Sequence, residues 1–127
     1  MKTLTLLAAL TLAGTAFAQT HSHGGNHDHQ PLYGGVVVEA SDMDFELVAK
    51  ADSIALYVRD HGKAADLKGA TGKLTLLAGS AKTEATLAPA GDRLEAKGSF
   101  PTAAGTKVVA TVQLAGKKPA NVRFALK

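Results

Sequence analysis

A chain of 127 residues with 14 lysines and arginines against 11 acidic residues carries a formal charge of only +3, and it has neither cysteine nor tryptophan. Those totals fit one small domain and exclude disulfides and thiolate metal ligands, so any metal site must use histidine, carboxylate, methionine or backbone nitrogen. Basic residues are spread singly or in pairs from Lys50 to Lys127 and aromatic residues are scarce, which argues against nucleic-acid binding.

The chain opens with the pattern of an export signal. Lys2 precedes an apolar run at 4–13, and Ala16-Phe17-Ala18 supplies a small-x-small cleavage site, so cleavage is expected after Ala18. The apolar run falls short of the roughly 20 residues that a membrane-spanning helix needs, and no later segment approaches that length. Three parts are therefore expected: a signal peptide at 1–18, a disordered His-rich tail at 19–31 and one β domain at 32–127.

The tail reads as disordered because it is polar, contains glycine and has no apolar periodicity before Pro31. Beyond the proline, apolar residues alternate with polar ones in short runs separated by turn residues, and helical periodicity is absent. Strands are expected at 35–40, 44–50, 53–60, 72–78, 83–88, 93–100, 106–114 and 121–126. Alternation turns Phe45, Leu47, Ala49, Ile54, Leu56, Val58, Leu74, Leu76, Val122, Phe124 and Leu126 inward, and it turns Glu46 outward. The stretch 64–70 reads as a crossing between sheets. The fold class that follows is all-β, an immunoglobulin-like antiparallel sandwich of seven or eight strands.

Four of the five histidines fall within "HSHGGNHDH" at 21–29. In extended chain, residues i and i+2 project to one side, so His21-Ser22-His23 and His27-Asp28-His29 can each offer two imidazoles to one ion. The glycine joint allows the two units to converge, with Asp28 as an alternative ligand. Zinc, nickel and copper all accept such a set, and the entropy of ordering a tail points to weak, promiscuous capture. Signal removal would create a second site. The new terminus Gln19-Thr20-His21 offers an amine, two backbone amides and an imidazole, the square-planar nitrogen set that copper(II) and nickel(II) favour, unless the glutamine cyclises.

The fifth histidine, His61, lies in "YVRDHGK", where it is either a ligand beside Asp60 or part of an ordinary Asp-His-Gly turn. "SDMDFE" at 41–46 is similarly double: Asp42, Met43 and Asp44 could make a hard or mixed metal site, or a hairpin turn leading into a solvent-facing strand edge. No serine elbow, His-Glu-x-x-His, phosphate loop or cysteine nucleophile is present, so a non-enzyme is expected. A copper/zinc superoxide dismutase would need ligands fixed by strands, whereas only His61 lies inside the expected domain.

From Pro31 onward the chain resembles a family of small exported β-domains associated with heavy-metal efflux. These occur alone or as the accessory domain of the periplasmic adaptor (membrane fusion) subunits of metal-exporting resistance-nodulation-division pumps. The stretches that carry the resemblance are "YGGVVVEASDMDFELVAK", "IALYVRDHGK", "KLTLLAG", "LAPAGDRLEAKGSF" and "VRFALK". It implies a periplasmic location, a link to metal and an adaptor as partner, with histidine common at the place of His61. The family often has His-Gly-Gly before its first strand, whereas this chain has Tyr33-Gly34-Gly35, and a phenol titrating near 10 is a poor substitute for imidazole. Metal capture through the tail is therefore the expected function. An interaction module that docks to an adaptor, with the tail as a linker, is the alternative.

Overall fold

The structure, a computed structural model, describes residues 29–127. The signal segment, the Gln19-Thr20-His21 terminus and His21, His23, His27 and Asp28 lie outside the described residues.

Among the described residues nine strands run in order: β1 (Val36–Ala40), β2 (Met43–Ala49), β3 (Ser53–Asp60), β4 (Lys63–Ala64), β5 (Thr71–Ala78), β6 (Ala81–Ala90), β7 (Arg93–Lys97), β8 (Lys107–Gln113) and β9 (Ala120–Ala125). Every pairing is antiparallel. The order across the sheet is β1-β2-β3-β7-β6-β5-β8-β9, with the two-residue β4 attached to β3. β6 bends between the two halves, pairing β5 along Ala81 to Leu87 and β7 along Ala88 to Ala90. The terminal strands β1 and β9 lie close together, so the sandwich nearly closes into a barrel. The expected all-β antiparallel sandwich is what forms; of the stretch at 64–70, Ala64 belongs to β4 and 65–70 make the crossing to β5 in the other half.

The expected inward residues make the core. Phe45, Leu47, Ile54, Leu56, Leu74 and Leu76 are almost fully buried, and Val122, Phe124 and Leu126 close the core from β9 and the segment just beyond it. Ala49 is half-buried. Burying each larger side chain contributes about 1.5–3 kcal/mol, and with no disulfide this packing is the main source of stability.

Turn chemistry fixes the registers. Ser41 and Asp42 both have positive φ, 53° and 62°, and close the β1–β2 hairpin on the pair Ala40 and Met43. Two left-handed residues in a two-residue loop define a type I′ turn, whose twist matches that of the flanking strands. The same device recurs between β3 and β4, where His61 has φ 53° and Gly62 φ 81°.

Two expectations about β2 need correction. Asp44 and Met43 do not form a solvent-facing edge: both are buried, and only Asp42 occupies the turn. Glu46 lies on the face opposite Phe45 and Leu47, as alternation requires, yet it is completely buried. The reason is the segment at 30–35, which crosses that face before entering β1 and shields it from water.

Candidate metal centre at the root of the tail

The crossing segment is held by one carboxylate. Glu46 accepts hydrogen bonds from the backbone N–H groups of Leu32 at 2.8 Å, Tyr33 at 2.7 Å and Gly35 at 3.0 Å. It also accepts one from the Arg59 guanidinium at 3.2 Å, and Arg59 in turn donates to the Gln30 carbonyl at 2.9 Å. Burial by itself would push the Glu46 carboxyl upward, but the donors from Leu32, Gly35, Tyr33 and Arg59 outweigh it and hold the group below its ordinary value of 4.5. No buried side-chain polar atom among the described residues lacks a partner. The Tyr33 ring stacks on Tyr57 with centroids 3.7 Å apart and planes 11° apart.

This strap delivers His29 to a defined place. Its Nδ1 lies 2.6 Å from Asp44 Oδ1 and its Nε2 lies 2.9 Å from Glu39 Oε2. The two carboxylates are neighbours because the hairpin register sets Glu39 opposite Asp44, while Asp44 faces Arg59 on the other side. Like charges directly opposite each other on paired strands are destabilising, so this position favours whatever cation or hydrogen-bond donor sits between them. Asp44 is buried, whereas Glu39 and His29 reach solvent.

The donor set suits a divalent ion. One ligand atom from each of His29, Glu39 and Asp44 lies within 4.8 Å of the others. Imidazole nitrogen and carboxylate oxygen are ordinary zinc donors. A metal-bound histidine usually gives its second ring N–H to a carboxylate, which fixes the tautomer and the ring plane. Here the buried Asp44 is placed for that orienting part, leaving Nε2 and Glu39 on the open side as the donors.

Of the residues expected to bind metal, the structure brings His29 into this cluster and places His61 elsewhere. The His61 side chain is 84% exposed and bonds to Asp60 at 2.6 Å, within the turn. That bond, first, holds the Asp60 carboxyl below its usual range; burial opposes it, and the nearby Lys117 adds a lesser lowering effect. The arrangement is that of the turn reading. His61→Asn, which puts the preferred Asn-Gly pair at this type I′ turn, is expected to leave stability unchanged or raise it by about 0.5 kcal/mol. Chemical denaturation checks it, and a loss above about 1 kcal/mol would mean that the imidazole has a structural task beyond the turn.

Glu39 was not anticipated. The signal was available, since a two-residue turn at Ser41-Asp42 pairs 40 with 43 and therefore 39 with 44. Comparison with known family models, curated proteins and solved structures gives no match, so the class of the molecule rests on its fold and this cluster: a small β-sandwich with a nitrogen- and oxygen-donor constellation where its tail begins.

Proposed function

We propose that this is a periplasmic protein that captures a divalent transition metal, zinc, nickel or copper, in metal homeostasis or efflux. In this reading His29 and Glu39 are the fixed donors, Asp44 orients the His29 ring, and His21, His23, His27 and Asp28 complete the coordination from the adjoining sequence. The observation that carries the reading is the seating of His29 against Glu39 and the buried Asp44, immediately beside the remaining tail histidines. A site anchored at one end also lowers the ordering cost that makes an unattached tail a weak ligand. The Gln19-Thr20-His21 terminus would add a separate copper(II) or nickel(II) site.

Titration of the processed chain, 19–127, with Zn²⁺ tests this reading by calorimetry. His29→Ala and Glu39→Gln are each expected to lower affinity at least tenfold, and Asp44→Asn by about 10- to 100-fold, the usual effect of removing an orienting partner. Replacing His21, His23 and His27 with serine should weaken binding as well. Because ligand imidazoles must be neutral, affinity should fall below about pH 6.5. Unchanged affinity in both His29→Ala and Glu39→Gln would sink the proposal and return any binding to the rest of the tail or to the chain terminus.

A further inference from the structure

We propose that the chain forms a two-fold symmetric dimer by pairing the free edge of β6 with the same edge of a second copy. Along Ala81 to Leu87 this strand is paired on one side only, with β5. Among the described residues no backbone hydrogen bond from another segment reaches the opposite side of that stretch. Along this seven-residue stretch of antiparallel sheet edge every second residue therefore turns its N–H and C=O away from β5 with no strand of the described residues to meet them, the feature through which sheets recruit another strand.

The hairpin fixes which groups face outward. Ala78 and Ala81 flank the two-residue Gly79-Ser80 turn and form a hydrogen-bonded pair, so the alternation of the antiparallel ladder directs the N–H and C=O of Lys82, Glu84 and Thr86 away from β5. An antiparallel partner must match these residues with one another. Five symmetric registers do so, centred on each residue from Lys82 to Thr86, and charge and edge availability separate them: centring on Thr86 sets Glu84 against Ala88, which β7 already holds. Centring on Lys82 opposes two lysines, and centring on Glu84 opposes two glutamates. Centring on Ala85 sets Lys82 against Ala88, whose edge is already taken by β7. Centring on Thr83 sets Lys82 of each copy against Glu84 of the other, giving two cross-strand ion pairs about the dyad.

The remaining contacts suit that register. Lys82 and Glu84 are both exposed, 60% and 69%, and lie on the outer face, where they are free to exchange their mutual 3.2 Å contact for contacts across the dyad. On the inner face Ala81 meets Ala85 and Thr83 meets Thr83, small residues that admit close approach of the strands. Cross-strand threonine pairs and opposite charges are both favourable in antiparallel pairs. The partner is therefore a second copy of this chain, and the pairing does not depend on the metal reading.

Sedimentation of the processed chain from micromolar to millimolar concentration, with chelator present to exclude metal bridging, tests the proposal. A concentration-dependent dimer is expected. Glu84→Lys, which turns both ion pairs into repulsions, should weaken it about tenfold or more, and adding Lys82→Glu to that variant should restore it. In this cysteine-free chain, Thr83→Cys should give a disulfide-linked dimer on mild oxidation and Glu84→Cys should not, since only position 83 meets itself. Circular dichroism of each variant establishes that the fold is retained. A monomer throughout the range, a dimer indifferent to the charge reversal, or preferential crosslinking through position 84 would each overturn the inference.

Discussion

Glu46→Ala is expected to be among the most destabilising single substitutions in this protein, costing about 3–5 kcal/mol, the range seen when one partner of a buried charged pair is removed. It strips the acceptor from three backbone N–H groups and leaves Arg59 buried without its carboxylate. Against a total stability of about 5–15 kcal/mol for a small domain, this corresponds to a fall in thermal midpoint of roughly 12–40 °C. Thermal unfolding of the variant measures it directly. A loss below about 1 kcal/mol would mean that water replaces the carboxylate and that the strap is not clamped.

The same carboxylate makes a prediction about pH. Its folded-state pKa lies below the unfolded value of 4.5, so the unfolded chain binds more protons around that pH. The stabilisation is therefore fully present above about 4.5 and is lost as pH falls through the folded value. Compared with Glu46→Gln, the native protein should show its full advantage at neutral pH and a shrinking one below about 4.5. Asp60 and Glu95 are also held low, Asp60 chiefly by His61 and Glu95 chiefly by Lys97. Both are present in either chain and cancel in the difference. An advantage that stays constant from neutral to strongly acidic pH would show that charge on Glu46 is irrelevant to the clamp.

The contrast between what period-two alternation reveals and what it hides is clearest on β2. Phe45 and Leu47 could be assigned to the core from the sequence because a strand has two faces and the apolar residues choose one. Glu46 was assigned correctly to the other face and incorrectly to solvent. Alternation describes a strand in isolation, and it carries no record that 30–35 crosses back over that face. The covering segment is too short and too rich in glycine to show a strand period; it is retained by backbone N–H groups, which every residue but proline possesses. His29 stood out only as a member of a histidine cluster, because its neighbours Asp44 and Glu39 are 15 and 10 positions away in sequence and meet it only through the strap and the hairpin register. The turn at His61 was legible, since Asp-His-Gly between two alternating runs specifies a tight turn by local chemistry alone, whereas the sequence left open whether its imidazole is also a ligand.

The strap also explains why two adjacent glycines precede β1, and it separates their contributions. Gly34 has φ +75° with open space around the position of a Cβ, so Gly34→Ala should cost only the left-handed backbone penalty, about 1–2 kcal/mol. Gly35 has no such freedom: a Cβ there would lie 2.3 Å from the Leu47 carbonyl oxygen and 2.9 Å from Val48 Cγ2. Backbone cannot yield as a flexible side chain does, so Gly35→Ala must lift the start of β1 away from β2, where Val36 pairs with Leu47, and draw the Gly35 N–H off Glu46. Overpacking and the lost hydrogen bond together should cost about 2–4 kcal/mol, clearly more than at Gly34. If the metal reading is right, the displaced strap carries His29 with it, and Zn²⁺ affinity should fall in Gly35→Ala toward that of His29→Ala while Gly34→Ala keeps most of it. Denaturation and zinc titration of the two glycine variants side by side check both halves. Equal stabilities would remove the steric account of Gly35, and a Gly35→Ala chain that is destabilised yet binds zinc normally would uncouple the strap from the proposed metal site.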